Sequence, residues 1–202
     1  MNSGKAIEEF SLEKLRSGDR EEYARLVEAY YAMIYNLALR MLNDPQDAED
    51  ILQETFLKAY RGLKDFDGRS SVSAWLYRIA TNEALMHLRR RKLDTVSIDE
   101  SQDTETGEGE PLQIVDWCCM PEEELVSAEA LAHLDEAVTR LSPNLRAVFV
   151  LRDIQGLSTR EVEEVLNLSE TAVKTRLSRA RLQLREDLTG YFGGRLEEGR
   201  RG

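Results

Sequence analysis

Between Glu170 and Arg185 five basic side chains, Lys174, Arg176, Arg179, Arg181 and Arg185, stand against a single acid. Val173, Leu177, Ala180 and Leu184 recur in the same stretch at i, i+4, i+7 and i+11, so a helix here carries one apolar stripe. Lys174, Arg181 and Arg185 flank that stripe, and Arg176 and Arg179 project on the opposite, solvent side. A cationic helix of this kind fits the DNA major groove, with its N-terminal residues near base edges and its arginines near phosphates. The residues before it favour this over a merely solvated face. Ser158-Thr159-Arg160-Glu161 is a capping box that opens a short helix, Asn167-Leu168-Ser169 breaks it, and Ser169 caps the long one. A short helix, a tight break and a basic helix are the layout of a helix-turn-helix. Glu163 stands on the inner face of the short helix, where such motifs usually have a small residue, so its carboxylate must turn outward or the helices must open. Asn167 takes the turn position usually given to Gly, an easy exchange because Asn tolerates positive φ.

Two other groups invite chemistry and mostly decline it. Asp47, Glu49, Asp50 and Glu54 suggest the divalent-metal cluster of a nuclease, but on one helix segment they do not converge on one point. No catalysis is expected. Cys118 and Cys119 are adjacent, and His87 and His133 are the only histidines. A zinc site wants four ligands at suitable spacing, so neither metal nor cofactor is expected.

The elements that carry these residues are helical. Tyr23, Leu26, Val27, Tyr30, Ile34, Leu37, Ala38 and Met41 follow a three-and-four spacing, with Asp19 and Glu22 marking the start. Asp44-Pro45-Gln46-Asp47 opens a second helix, to about Leu63. Lys64–Ser73 reads as a loop, and a third helix runs from about Ala74 to Lys92. Ala130, Leu131, Leu134, Ala137, Val138 and Leu141 define another. Ser142-Pro143 starts the next, through Arg152. The last helix ends near Leu188, and the tail 190–202 reads as loose. The expected fold is all-α: a unit over 8–92, a linker over 93–129 and a helix-turn-helix unit over 130–189. Units this small bury only about 60% of their unfolded-chain surface, so each gains from a partner.

The 202 residues carry a net charge of −11, distributed unevenly. Twelve acids and no Lys or Arg lie between Leu93 and Glu129, which leaves 27 basic and 26 acidic residues elsewhere, a net of +1. The acidic stretch reads as a flexible linker. Its extended length reaches at most about 120–130 Å at ~3.3–3.6 Å per residue. The longest apolar run, Ala147–Leu151, is far short of the ~20 residues that span a bilayer. The first ten residues lack a signal-peptide core. Membrane insertion is not expected, and a cytoplasmic location is.

Three segments in order carry a resemblance: DAEDILQETFLKAY (Asp47–Tyr60), FDGRSSVSAWLYRIATNEALMHLRRRK (Phe66–Lys92) and LSPNLRAVFVLRDIQGLSTREVEEVLNLSETAVKTRLSRAR (Leu141–Arg181). Together they resemble a bacterial sigma-70-family factor of the extracytoplasmic-function type, which has only the second and fourth sigma domains. The resemblance implies a promoter-specificity subunit that binds RNA polymerase core and reads −35 and −10 DNA. It implies core-polymerase contacts at Asp47, Asp50, Gln53, Glu54, Phe56 and Leu57, with Phe56 as aromatic anchor. For the −10 element it implies Arg69, Ser70, Ser71 and Ser73 in the loop, then Arg78, Asn82, His87, Arg89, Arg90 and Arg91 on the helix. Such a loop would repay the few kcal/mol lost when a base leaves the stack. Trp75, a conceivable stacking platform, sits in a WLYRIA setting more typical of core. For the −35 element it implies Thr171, Ala172, Lys174, Thr175, Arg176 and Arg179. Glu83, Ala84, Leu85, Met86 and Ala172 depart from residues common in the family, which bears on base preference. An anti-sigma partner is expected, and the acidic linker would mimic nascent RNA near the polymerase exit path. A stand-alone helix-turn-helix regulator is the competing reading.

Overall fold

The computed structural model describes residues 10–95 and 128–198, and all regular elements among them are helical. Nearly all of the acidic linker, with Cys118 and Cys119, lies outside the described residues.

Helix α1 (Leu12–Ser17) is a short element that the periodicity does not reveal. Helix α2 (Arg20–Leu42) starts at Asp19, whose side chain accepts from the Glu22 N–H, and stops at Asn43 with φ 55°. Helix α3 (Pro45–Gly62) starts at Asp44, which accepts from the N–H groups of Gln46 and Asp47. A single 3-10 turn, Leu63–Asp65, leads into the loop before α4 (Val72–Thr95). These helices enclose Leu26, Ile34, Leu37, Met41, Ala48, Leu52, Leu76, Ala80 and Ala84, all buried.

The second unit comprises α5 (Ala128–Arg140), α6 (Pro143–Phe149), α7 (Thr159–Leu166) and α8 (Glu170–Glu198). The helix expected to reach Arg152 changes character at Val150, where a π turn runs to Ile154. Helix α8 continues well past the expected end near Leu188, so the backbone to Glu198 is helical rather than loose. Val138, Leu141, Val148, Val150, Leu151, Val162, Val173, Ala180 and Leu184 form this unit's core.

The two units touch. Helix α4 packs on α6 and α7, and α2 packs on α5, α6 and the π turn. Each small unit thereby supplies part of the partner surface that the other lacks. The Tyr77 hydroxyl donates to Gln155 Oε1 at 3.0 Å, and Arg40 pairs with Asp135. Arg146, only 7% exposed, donates to the carbonyls of Thr139, Leu141 and, across the boundary, Met41. These carbonyls lie at or just past the C-terminal ends of α2 and α5, where helix backbone lacks internal partners and a cation is favoured. Burial pushes the Arg146 guanidinium pKa down, though an arginine keeps its charge.

Burial also raises the phenol pKa of three tyrosines: Tyr23 up to about 12, with Tyr30 and Tyr77 shifted the same way. A folded-state pKa above the unfolded value means that stability is full below the unfolded pKa and is lost as pH rises. Circular dichroism and tyrosinate absorbance across an alkaline titration should therefore show stability falling as pH climbs from 10 toward about 12. Ionisation of all seven tyrosines at the unperturbed value, with the fold intact, would contradict this burial.

Candidate nucleic-acid interface

The helix-turn-helix is built from local hydrogen bonds. Ser158 N–H donates to Glu161 Oε2 at 2.7 Å, and Glu161 N–H donates back to Ser158 Oγ at 3.3 Å. Asn167 closes α7 with φ 53°, as its residue type allows. Ser169 Oγ accepts from the Ala172 N–H at 3.2 Å and so fixes the start of α8. Val162 and Val165 take the buried face of α7. Glu163 is half-buried on α7, so the crossing accommodates it without full burial of its carboxylate.

At the head of α8, Thr171 and Lys174 are exposed, while Ala172, Thr175, Arg176 and Arg179 are half-buried. Arg176 and Arg179 are thus partly covered and do not simply project into solvent. Lys174 Nζ lies 2.7 Å from Glu170 Oε1, a pair that raises the lysine pKa and lowers the glutamate's. Arg181 differs from its cationic neighbours. Its Nε and Nη2 donate to the two carboxylate oxygens of Asp153 at 2.8 and 2.7 Å. It clamps α8 to the π turn in the bidentate geometry for which guanidinium is suited.

The loop before α4 is held at both ends. Phe66 is buried, its ring 4.8 Å from that of Trp75. A Cβ on Gly62 would lie 3.2 Å from Trp75 Cζ2, so the indole packs directly on the α3 backbone as a core group. Asp67 accepts from the Arg69 N–H at 3.0 Å and from its Nε, and this arginine holds the Asp67 carboxyl below its ordinary pKa. Gly68 turns the chain with φ 79°. Ser71 Oγ accepts from the Ala74 N–H at 3.1 Å and lies 3.0 Å from Ser73 Oγ. Beyond the loop, Arg78, Asn82, Met86, Arg89, Arg90 and Arg91 are all exposed on α4. Ser70 is half-buried.

His87 and Asp47 meet: His87 Nε2 is 3.1 Å from Asp47 Oδ2, and Arg91 Nη1 is 3.5 Å from the same oxygen. An acid expected to face polymerase, and a histidine and an arginine expected to face DNA, therefore share one cluster at the α3–α4 seam. Lys58 joins the same helices, 3.5 Å from Glu54 and 2.6 Å from Glu83. Asp50, Gln53, Leu57 and Tyr60 form an exposed face on α3. Phe56 requires correction: it is 8% exposed and belongs to the core, so it cannot anchor a partner. The apolar groups on that surface are Leu57 and Tyr60, 44% and 42% exposed. Tyr60, three residues after Leu57, was available from helical spacing alone. Among the described residues, no three His, Cys, Asp or Glu side chains gather as a metal site, and no helix is long and apolar enough to cross a membrane.

Comparison with known proteins places both units. Residues 26–93 match the family model for sigma-70 region 2, and residues 131–184 match that for sigma-70 region 4. The ECF RNA polymerase sigma factor SigW of Bacillus subtilis is 38% identical over 177 residues, 88% of this chain and 94% of SigW. This chain belongs to the sigma-70 family, in its extracytoplasmic-function branch. The RNA polymerase sigma-H factor of Pseudomonas aeruginosa is 34% identical, covering 84% of this chain and 88% of that one. The solved structure of CnrH in complex with the cytosolic domain of CnrY superposes with TM-score 0.63 at 25% identity, over 89% of this chain and 95% of CnrH. The fold is also that of the sigma factor RpoE from Bartonella quintana, with TM-score 0.61 at 22% identity, over 84% of this chain and 98% of RpoE. The sigma factor described here is a promoter-specificity subunit of bacterial RNA polymerase, and the stand-alone regulator reading finds no support.

Proposed function

We propose that the three surfaces divide the work of initiation. The α3 face of Asp50, Gln53, Leu57 and Tyr60 docks on core polymerase. The 66–73 loop and the exposed side of α4 hold −10 DNA, and the head of α8 enters the major groove at −35. One observation carries this assignment: the packed helices α3 and α4 each keep an exposed row, Asp50, Gln53, Leu57 and Tyr60 on α3 and Arg78, Asn82, Arg89, Arg90 and Arg91 on α4, so protein and DNA can bind on neighbouring helices. Arg69, Ser70, Ser71 and Ser73 border the pocket for an unstacked base, and Arg78, Asn82, Arg89, Arg90 and Arg91 follow its strand. His87 and Asp47 join the two surfaces. Thr171, Ala172, Lys174, Thr175, Arg176 and Arg179 form the −35 head.

The working units are those expected at 8–92 and 130–189, extended by their terminal helices, α4 to Thr95 and α8 to Glu198, with the acidic linker between them. The sigma factor acts by binding alone in the cytoplasm and leaves bond formation to polymerase. An anti-sigma protein restrains it, as CnrY's cytosolic domain accompanies CnrH. The −35 and −10 elements lie about two to three helical turns apart, roughly 70–100 Å, so the contact between the units must part when both are read.

Run-off transcription with core polymerase on a promoter library tests this reading. The protein alone should bind promoter DNA weakly, and core should confer specific, salt-sensitive initiation. Tight sequence-specific binding without core would refute it.

A further inference from the structure

We infer that α1 is a positioning element for the −10 loop, with Arg16 as the residue that sets it. This rests on the proposed role of the 66–73 loop. Helix α1 is itself locked in place. Its N-terminal cap, Ser11, donates its N–H to Glu22 Oε1 at 2.7 Å, and the Glu22 carboxylate, buried, also meets Arg25 at 2.9 Å. Leu15 is 1% exposed. Gly18, at φ 81°, ends the helix with its N–H on the Leu15 carbonyl and the Asp19 N–H on the Lys14 carbonyl, the paired bonds of a Schellman stop.

From this fixed base Arg16 reaches across fifty residues of sequence. Its Nε and Nη2 both donate to the Phe66 carbonyl, at 3.0 and 2.6 Å. Two charge-assisted donors of one planar group on one oxygen hold that carbonyl at a fixed place beside α1. Phe66 is the last buried residue before the loop, and its ring is wedged against Trp75. The chain then turns at Gly68, where a Cβ would lie 3.6 Å from Leu12 Cδ1 of α1, and rejoins regular structure at the Ser71 cap. The span Asp67–Ser70 thus runs between two anchors, and the first belongs to α1. A pocket that selects a base does so by edge contacts that tolerate little displacement, so the anchor controls selectivity more than affinity. Arg16 is a positioning residue with no DNA contact of its own.

The experiment uses the full-length protein with core polymerase on a library randomised across the −10 element, with a constant −35 element. For the wild type, one wrong base at the flipped position lowers initiation on the order of ten-fold. Arg16→Ala should compress that ratio to about two- to three-fold, with polymerase association and −35 dependence retained. Arg16→Lys, which keeps one donor for the Phe66 carbonyl, should fall between them. A merely structural loss would lower initiation on every promoter and leave the ratio untouched, and that outcome overturns the proposal. Arg69→Ala in the same assay keeps the two ideas separate. If Arg69→Ala leaves −10 selectivity unchanged, the role of the loop itself fails. If it alters selectivity while Arg16→Ala does not, the role of α1 fails.

Discussion

Leu57→Arg should abolish assembly with core polymerase without disturbing the fold. Leu57 is 44% exposed on α3 and is not among the buried side chains that hold the first unit together. Substitution at such a surface position costs the fold no more than about 0.5 kcal/mol. In the proposed docking of α3 on core polymerase, the same change places a charge where water is excluded. Hot-spot losses there reach about 2–4 kcal/mol, or roughly thirty- to a thousand-fold in affinity. Phe56→Ala, one residue earlier, should behave oppositely: it empties a buried site and costs about 3–5 kcal/mol of stability. Thermal melting and fluorescence anisotropy with labelled core distinguish the two. Wild-type affinity in Leu57→Arg would remove α3 from the interface.

The second large effect is expected at Arg146→Met. Methionine fills much of the volume but donates nothing, so the carbonyls of Met41 and Leu141, in buried hydrogen bonds, and that of Thr139, in a partly buried one, lose their partner. Each unsatisfied buried acceptor costs about 1–3 kcal/mol, so the two buried carbonyls together with the partly buried one give a loss on the order of 3 kcal/mol. For a chain of this size that lowers Tm by roughly 6–12 °C. Because Met41 belongs to the first unit and the other two carbonyls to the second, the loss also uncouples them. Calorimetry should show one transition becoming two. A single transition at the wild-type temperature would mean that the guanidinium neither stabilises nor couples the units.

On the proposed reading, promoter recognition depends on surfaces whose cations divide into two kinds. Lys174, Arg78, Arg89 and Arg90 are set on open helix faces or next to them, as phosphate neighbours should be. Arg16, Arg146 and Arg181 are spent inside the protein on Phe66, on helix ends and on Asp153. Composition does not separate the two kinds. A guanidinium that meets phosphate and one that meets a carbonyl are the same residue, and the partner lies as far as a hundred and five positions away.

What the chain's residues determined alone were the features decided within one or two helical turns. Asp19, Asp44, Ser158 and Ser169 begin helices because a side-chain oxygen reaches N–H groups two or three residues on, and Asn167 ends one because it accepts positive φ. The three motifs in register likewise identified the family. Tertiary packing decided the rest. Phe56 and Leu57 are neighbours turned by about 100° on one helix, and only the positions of α2 and α4 determine which of them meets solvent. Helix α1 is too short to display a period, and it owes its place to Glu22, to the burial of Leu15 and to a carbonyl fifty residues away. Contacts that close over such distances are set by how whole helices pack, and local residue patterns do not encode them.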